Sequence, residues 1–269
     1  MLTNTVKNIK SVMSRVSTKH MQYIIACILI LLALIITYIY RSKITNLIEN
    51  FQSESSTPKS FVDTIDKFVY INLDKREDRK TEILRELELL TIPAEKIQRV
   101  AGVYIPKNGH KGCIQSHILA IKLAQMNNWS NVAIFEDDAQ MVADSEKTIT
   151  AINDAIAELP ADWDVLMLAT ANKKETTLSE KKHINKLNAA TTSSAYIANS
   201  KYYDKLIKLF EYSNVMMVPE KWGKDNGHEP YALDQKWMEL QNQDNWFCAK
   251  KDLFTQRDSK STINLRGEN

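Results

Sequence analysis

Three adjacent carboxylates, Glu136, Asp137 and Asp138, close the apolar run Asn-Val-Ala-Ile-Phe at residues 131–135. Carboxylates so close repel one another when ionised, and a divalent cation between them removes that cost. A metal site is therefore the chemical reading of this triplet, and a solvated acidic turn is the plain one. In an extended strand Asp137 points to the opposite face, so Glu136 and Asp138 carry the metal expectation. Past an earlier apolar run, Arg76 and Arg79 lie three residues apart in Ile-Asn-Leu-Asp-Lys-Arg-Glu-Asp-Arg, residues 71–79. A guanidinium fork suits phosphate, although Glu77 and Asp78 also balance these arginines as an ordinary charged helix start. In Gly-Cys-Ile-Gln-Ser-His, residues 112–117, Gly112 reads as a tight turn, with Ser116 and His117 on the first turns of the helix that follows. Helix N-termini attract anions, and a core histidine with a satisfied hydrogen bond is the alternative. Asp234, before Trp237, Met238 and Leu240, either caps a helix or serves as a base.

These residues need elements to hold them. Residues 67–73 are a short β-branched and aromatic run that predicts a strand, followed by a helix with Ile83, Leu84, Leu87 and Leu90 at helical spacing. Residues 96–103 predict a second strand. The stretch 113–127 sets Ile114, His117 or Ile118, Ile121, and Ala124 or Gln125 along one helical face. Residues 131–138 are a third strand, 146–160 a helix closed by Pro160, 163–170 and 193–200 two further strands, and 201–210 a helix. Alternation of this kind implies an α/β domain with a mainly parallel sheet. Ligands of such sheets bind at the carboxyl ends of strands, where Glu136 to Asp138 and Asp74 fall.

The chain has 269 residues with a formal net charge of +2, and that near-balance hides two opposite parts. The first 43 residues hold Lys7, Lys10, Arg15, Lys19, Arg41 and Lys43 and no acid, which leaves a mildly acidic remainder. No broad basic face of the kind nucleic acid requires is present. With only 6 glycines, a glycine-rich phosphate loop is disfavoured. Met21 to Tyr40 is uncharged and long enough to span a hydrocarbon core as a helix. The apolar region is too long for a cleaved signal peptide, and Tyr-Ile-Tyr-Arg offers no cleavage site. Four basic residues precede the span and two follow it closely, which places the N-terminus in the cytoplasm. The expected organisation is a cytoplasmic tail over 1–20, a transmembrane anchor over 21–40, a stem over 41–65 and a folded body over 66–269. That body would lie in a Golgi- or ER-type lumen, or across a bacterial or viral-host membrane. Asn128-Trp129-Ser130 is a sequon that such a lumen would expose to glycosylation. Cys27 belongs to the anchor, while Cys113 and Cys248 either pair or remain buried thiols, with the thiols favoured; no Cys/His spacing of the zinc-binding kind occurs.

In their order, these stretches resemble glycosyltransferase family 25, the lipooligosaccharide and collagen hydroxylysine galactosyltransferases. The shared features are Ile71-Asn72-Leu73 with Arg76 and Arg79, Gly112-Cys113 with Ser116-His117, and Ile134-Phe135 with Glu136 to Asp138. Trp163-Asp164, Ser194-Ala195-Tyr196 and Asp234-Gln235 follow. The likeness runs from about Lys67 to Ile263. A departure comes after Gln256, where Ser261-Thr262-Ile263 lacks the acid usual in the family. Residues 216–234 are also longer and more irregular than the family pattern, as an acceptor loop would be.

The resemblance implies a glycosyltransferase A-type, Rossmann-like domain that transfers a hexose, galactose foremost, from a UDP-sugar with inversion. Its acceptor would be a glycan or a hydroxylysine-type hydroxyl. It also implies Mn²⁺ or Mg²⁺ at Glu136 and Asp138, with Glu136 also touching the ribose. Asn72 and Leu73 would hold base and ribose, Arg76 and Arg79 the diphosphate, and Ser116 and His117 the donor. Inversion needs a general base; Asp234 is the first candidate and Asp164 the reserve. Two rival readings are a metal-dependent phosphohydrolase, which needs a second Asp or His cluster not evident here, and an inactive module that binds glycans or partners.

Overall fold

The computed structural model describes residues 60–106, 108–217 and 230–258, together with helical residues scattered between 22 and 43. The chain divides into two units, residues 1–58 and 59–269. In the first, the described residues between Gln22 and Lys43 are helical and exposed, Ile28 to Leu31 each by more than half of their surface. No helix among the described residues is long and apolar enough to cross a membrane. The expected anchor over 21–40 falls partly outside the described residues, as do the tail over 1–20 and most of the stem.

The second unit starts earlier than the sequence pattern implied. Helix α1 (Phe61–Thr64) lies within the expected stem, yet Phe61 and Ile65 are buried, and the Phe61 N–H donates to the Asn153 side chain at 2.6 Å. The chain then alternates through β1 (Lys67–Asn72), α2 (Glu77–Leu89), β2 (Ile97–Ala101), α3 (Gly109–Met126) and β3 (Asn131–Glu136). Next come β4 (Ala139–Met141), α4 (Ser145–Ala157), β5 (Val165–Met167), β6 (Ala171–Thr176), β7 (Ile184–Thr191), β8 (Ala195–Asn199) and α5 (Tyr203–Met216). Short helices α6 (Leu233–Lys236) and α7 (Met238–Gln241), then β9 (Trp246–Ala249) and β10 (Phe254–Gln256), complete the described chain.

One eight-stranded sheet has the order β2-β1-β3-β8-β5-β9-β7-β6. Six strands run one way, and β8 and β7 run against them, so the sheet is mostly parallel in strand direction while four of its seven pairings are antiparallel. Side chains alternate along each strand and feed two cores. Val69, Ile71, Val132, Ile134 and Tyr196 pack with Ile114 and Ile121 of α3 and with Phe210 of α5 on one face. Phe68, Tyr70, Ala133, Phe135 and Ile197 pack with Ile83 and Leu87 of α2 and with Ile152 of α4 on the other. Because helices cover both faces, the central strands read as unbroken apolar runs. The parallel register places Ile71 opposite Glu136, which brings the carboxyl ends of β1 and β3 to one edge.

Candidate functional site

Strand β3 ends where its backbone last pairs, at Glu136, whose N–H donates to Ser194 O at 2.9 Å. Asp137 and Asp138 then turn into β4, which pairs antiparallel with β10, and Arg257 N–H closes the turn on Asp138 O at 2.7 Å. The turn overrides strand alternation. Asp137 was expected on the far face, yet it lines the same cleft as Glu136 and Asp138. That cleft is open to solvent on one side and holds a cavity of about 100 Å³. Leu73, Arg79, Tyr104, Cys113, Ser116, His117 and Gln256 also line it.

Arg79, buried on the first turn of α2, binds two of the three carboxylates, Asp137 Oδ1 at 3.0 Å and Asp138 Oδ2 at 3.1 Å. Removing one partner from such a buried cluster leaves uncompensated charge. Arg79→Met is therefore expected to destabilise the protein by about 3–5 kcal/mol in denaturant unfolding. Adding Asp137→Asn should recover part of that loss; if the single substitution is neutral, Arg79 does not hold the cluster together.

Asn72 was expected to meet a base and ribose, but its amide is committed within the protein. Its Nδ2 donates to Asp137 Oδ2 at 2.8 Å and to Arg76 O at 2.9 Å, and its Oδ1 accepts from Arg99 Nε at 3.3 Å. Asn72 positions Asp137. Arg76 pairs with Asp78 at 2.7 Å and is not among the residues lining the cleft, unlike Arg79.

Gly112 lies inside α3 and forms no turn. A Cβ there would sit 2.4 Å from Val103 O, so glycine lets the 102–106 loop press onto the helix. Ser116 pins the same loop, accepting from Val103 N–H at 2.8 Å and donating to Gly112 O at 2.7 Å. Loop residues Val103 to Ile105 form one wall of the cleft. Gly112→Ala should cost about 1–3 kcal/mol, the range for overpacking. It should also weaken ligand binding in the cleft, as read by thermal unfolding and calorimetric titration; an unchanged melting temperature would show that the loop yields freely.

His117 is fully buried between two partners, Tyr196 Oη at 3.0 Å from Nδ1 and Glu136 Oε1 at 3.3 Å from Nε2. Ser193 Oγ also donates to Glu136 Oε1. Burial alone would raise the Glu136 carboxyl, but the hydrogen bond and charge of His117, the Ser193 hydroxyl and Arg79 together hold it below its ordinary range. Its neighbours differ. Burial raises Asp137 against the pull of Asn72 and Arg79. Burial, then the charge of Glu136, pushes Asp138 up to about 7. Asp138 Oδ1 is buried and has no hydrogen-bond partner among the described residues. An orphaned carboxylate oxygen beside an ionised Glu136 is the donor set that a hard divalent cation takes.

Asp234 does not cap a helix. It lies within α6, where its Oδ2 accepts from Thr192 N–H at 3.1 Å. Burial raises its carboxyl, and the charge of Glu136 adds to this, so the two acids feel one another. Asp164 lies elsewhere. It precedes β5, at the edge opposite the carboxyl ends, where it accepts from Asn245 N–H at 2.8 Å and pairs with Lys201 at 3.1 Å. It fastens the starts of β5 and β9, which makes it a structural residue and not the reserve base expected.

The family model of glycosyltransferase family 25, described as an LPS biosynthesis protein, matches residues 105–218. Over that stretch, which is less than half of the chain, the sequence is similar to glycosyltransferase family 25. The matched stretch contains Cys113, Ser116, His117, the Glu136 to Asp138 turn and Tyr196, whereas Asn72, Arg79 and Asp234 lie outside it. No curated protein matches the sequence. Among solved structures, mannose-1-phosphate geranyltransferase from Thermus thermophilus is similar at 8% identity and TM-score 0.43, covering 70% of this chain and 74% of its own. A197 from STIV is similar at 6% identity and TM-score 0.36, covering 76% of this chain and 100% of its own. A cytidylyltransferase from Leptospira borgpetersenii serovar Hardjo-bovis (strain JB197) has 13% identity and TM-score 0.32, with coverages of 71% and 59%. Likenesses at these values say nothing of activity.

The sequence pattern gave no role to Arg99, Ser193, Tyr196 or Cys113. Arg99 donates to Asn72 O at 3.0 Å and to Asp74 Oδ1 at 2.5 Å, bracing the end of β1. An arginine inside an apolar strand was the available signal. Ser193 and Tyr196 reach the site because β8 runs beside β3, a pairing that no local pattern announces.

Proposed function

We propose that this glycosyltransferase is an inverting, metal-dependent enzyme that transfers a hexose, galactose foremost, from a UDP-sugar to a glycan or protein hydroxyl. The observation that carries the reading is that Asp138, whose buried Oδ1 has no hydrogen-bond partner among the described residues, lines one cleft with Glu136 and Arg79. Glu136 and Asp138 would hold Mn²⁺ or Mg²⁺, which when bound neutralises the charge that develops on a departing nucleoside diphosphate. Arg79 keeps the acids in register and offers its own positive charge to the cleft. The 102–106 loop, with Tyr104 at the mouth, supplies a wall against which the donor is oriented. Asp234 would take the proton from the acceptor hydroxyl as its oxygen attacks the anomeric carbon and the bond to the diphosphate oxygen breaks.

The apolar segment 21–40, flanked by basic residues, supports a single-pass anchor with the N-terminus in the cytoplasm. Asn128 of the sequon is exposed just after α3, where a lumenal modification would reach it. Of the irregular segment expected to receive the acceptor, residues 216–234, the stretch 218–229 lies outside the described residues, as do Ser261 to Ile263.

The direct test incubates the protein with a panel of nucleotide sugars and Mn²⁺ and follows release of nucleoside diphosphate. Release is expected with a UDP-hexose and is expected to stop with a chelator. A folded protein that turns over no donor would replace this reading with that of a binding module.

A further inference from the structure

We infer a second metal site in the same cleft, formed by Cys113, His117 and Glu136 and selective for thiophilic divalent ions of the Zn²⁺ and Co²⁺ kind. One sulfur, nitrogen or oxygen ligand atom from each residue lies within 4.8 Å of the others. Cys113 and His117 stand one turn apart on α3, and β3 delivers Glu136 from across the layer. The sequence hid this set because its third member is remote in the chain and two ligands alone do not make a zinc pattern.

Three features give the cluster the character of a metal site. The first is its S, N and O donor set, which suits Zn²⁺ and Co²⁺ better than the hard cations that prefer oxygen alone. The second is the fixing of His117. A ligating histidine is held through its other ring nitrogen. Here Nδ1 meets Tyr196 Oη at 3.0 Å, the two rings lie 20° from parallel, and Nε2 faces Glu136. The third is access, because all three residues line the cleft. Three protein ligands beside a cavity leave the fourth position of a tetrahedral ion open, as in reactive rather than closed zinc sites. Binding replaces the Cys113 thiol proton, which passes to solvent, and the ion takes the imidazole lone pair and a Glu136 oxygen. No electron changes hands.

The consequence for activity rests on the proposed function, since Glu136 serves both sites. An ion held by Cys113 and His117 would withdraw Glu136 from the donor cation, so Zn²⁺ would inhibit a Mn²⁺-dependent transfer. The site itself is testable without any turnover.

The full-length protein, reduced and stripped of metal, is titrated with Co²⁺ and then with Zn²⁺ while its absorption is followed. Expected are a near-ultraviolet thiolate-to-cobalt band and intense visible bands of tetrahedral cobalt, both removed by one equivalent of Zn²⁺. Cys113→Ser, nearly isosteric, should abolish the thiolate band and weaken Zn²⁺ binding on the order of 100-fold or more; Tyr196→Phe should weaken it about tenfold through loss of the hydroxyl that holds Nδ1. A thiolate band that persists in Cys113→Ser, or no band in the unaltered protein, would overturn the assignment. If the cobalt spectrum forms but no sugar nucleotide is turned over, the metal site stands and only the donor reading fails.

Discussion

If Asp138 is the metal ligand proposed, Asp138→Asn is expected to weaken Mn²⁺-dependent donor binding on the order of 100-fold or more, because it removes that ligand while keeping side-chain shape. The same substitution should stabilise the metal-free protein at neutral pH, an opposite effect that a merely disruptive change would not produce. Burial, and then the charge of Glu136, lift the Asp138 carboxyl to about 7 in the folded chain. From about pH 4 upward the unfolded chain releases this proton while the folded chain keeps it, so stability falls until both forms are ionised above about pH 7. The total is up to about 4 kcal/mol, present in full at low pH and lost by about pH 8. An amide in place of this carboxyl carries no such dependence, so the variant and the parent should melt alike near pH 4 and diverge by about pH 8. Mn²⁺ competes with the same proton, and its affinity for the parent should climb as pH rises towards 7 and then level. Calorimetry with donor and Mn²⁺, beside melting curves across pH, reads both effects. Unchanged donor binding would remove Asp138 from the site, and parallel melting curves would remove the buried charge.

Local pattern was enough for the elements whose burial is complete. The run from Lys67 to Asn72 and the run from Asn131 to Glu136 are continuous apolar stretches, because helices cover both faces of the sheet there. Residues Ile114, His117, Ile121 and Ala124 of α3, expected along one face, are all fully buried. The pairings at the β6 end of the sheet were not readable. Strand β6, Ala-Asn-Lys-Lys-Glu-Thr, is polar and largely exposed at the sheet edge, so nothing in its hydropathy separates it from a loop. Strand β9, Trp-Phe-Cys-Ala, is short and buried on all sides, and the sequence alone does not say which strand it joins. At the site, residue types were legible but their assignments were not. Glu136 and Asp138 stand in the cleft as expected, yet Asp137 joins them because the strand stops two residues earlier than the expected strand over 131–138. Arg79 faces the acids and Arg76 does not line the cleft, a distinction fixed by the helix starting at Glu77 and by the nearby Asp78. Asp164 shares its residue type with Asp234, but it precedes β5 and clasps Asn245, whereas Asp234 lies in α6 and accepts from Thr192 N–H, a difference that only topology reveals.

Asp234→Asn is expected to lower kcat by about 10²- to 10⁴-fold, the range for loss of a positioned general base. The donor KM should change little, because Asp234 is not among the residues that line the Arg79 and Asp138 cleft. Asparagine keeps an oxygen for the Thr192 N–H, which matters because Thr192 holds a left-handed φ of 69°, costly for a β-branched residue. The amide therefore preserves the local backbone while removing the proton acceptor. Burial, with the neighbouring Glu136, raises the Asp234 carboxyl, so its conjugate base is stronger than an ordinary carboxylate and better matched to an acceptor hydroxyl. The sign follows for pH: activity should fall as pH drops through the raised value, because protonated Asp234 accepts nothing, and that acid limb should vanish from the residual activity of the variant. Transfer and donor binding measured together across pH decide the matter. If kcat stays within about threefold of the parent, or the acid limb survives the substitution, the proton leaves the acceptor by another route and Asp234 serves only to hold Thr192 in place.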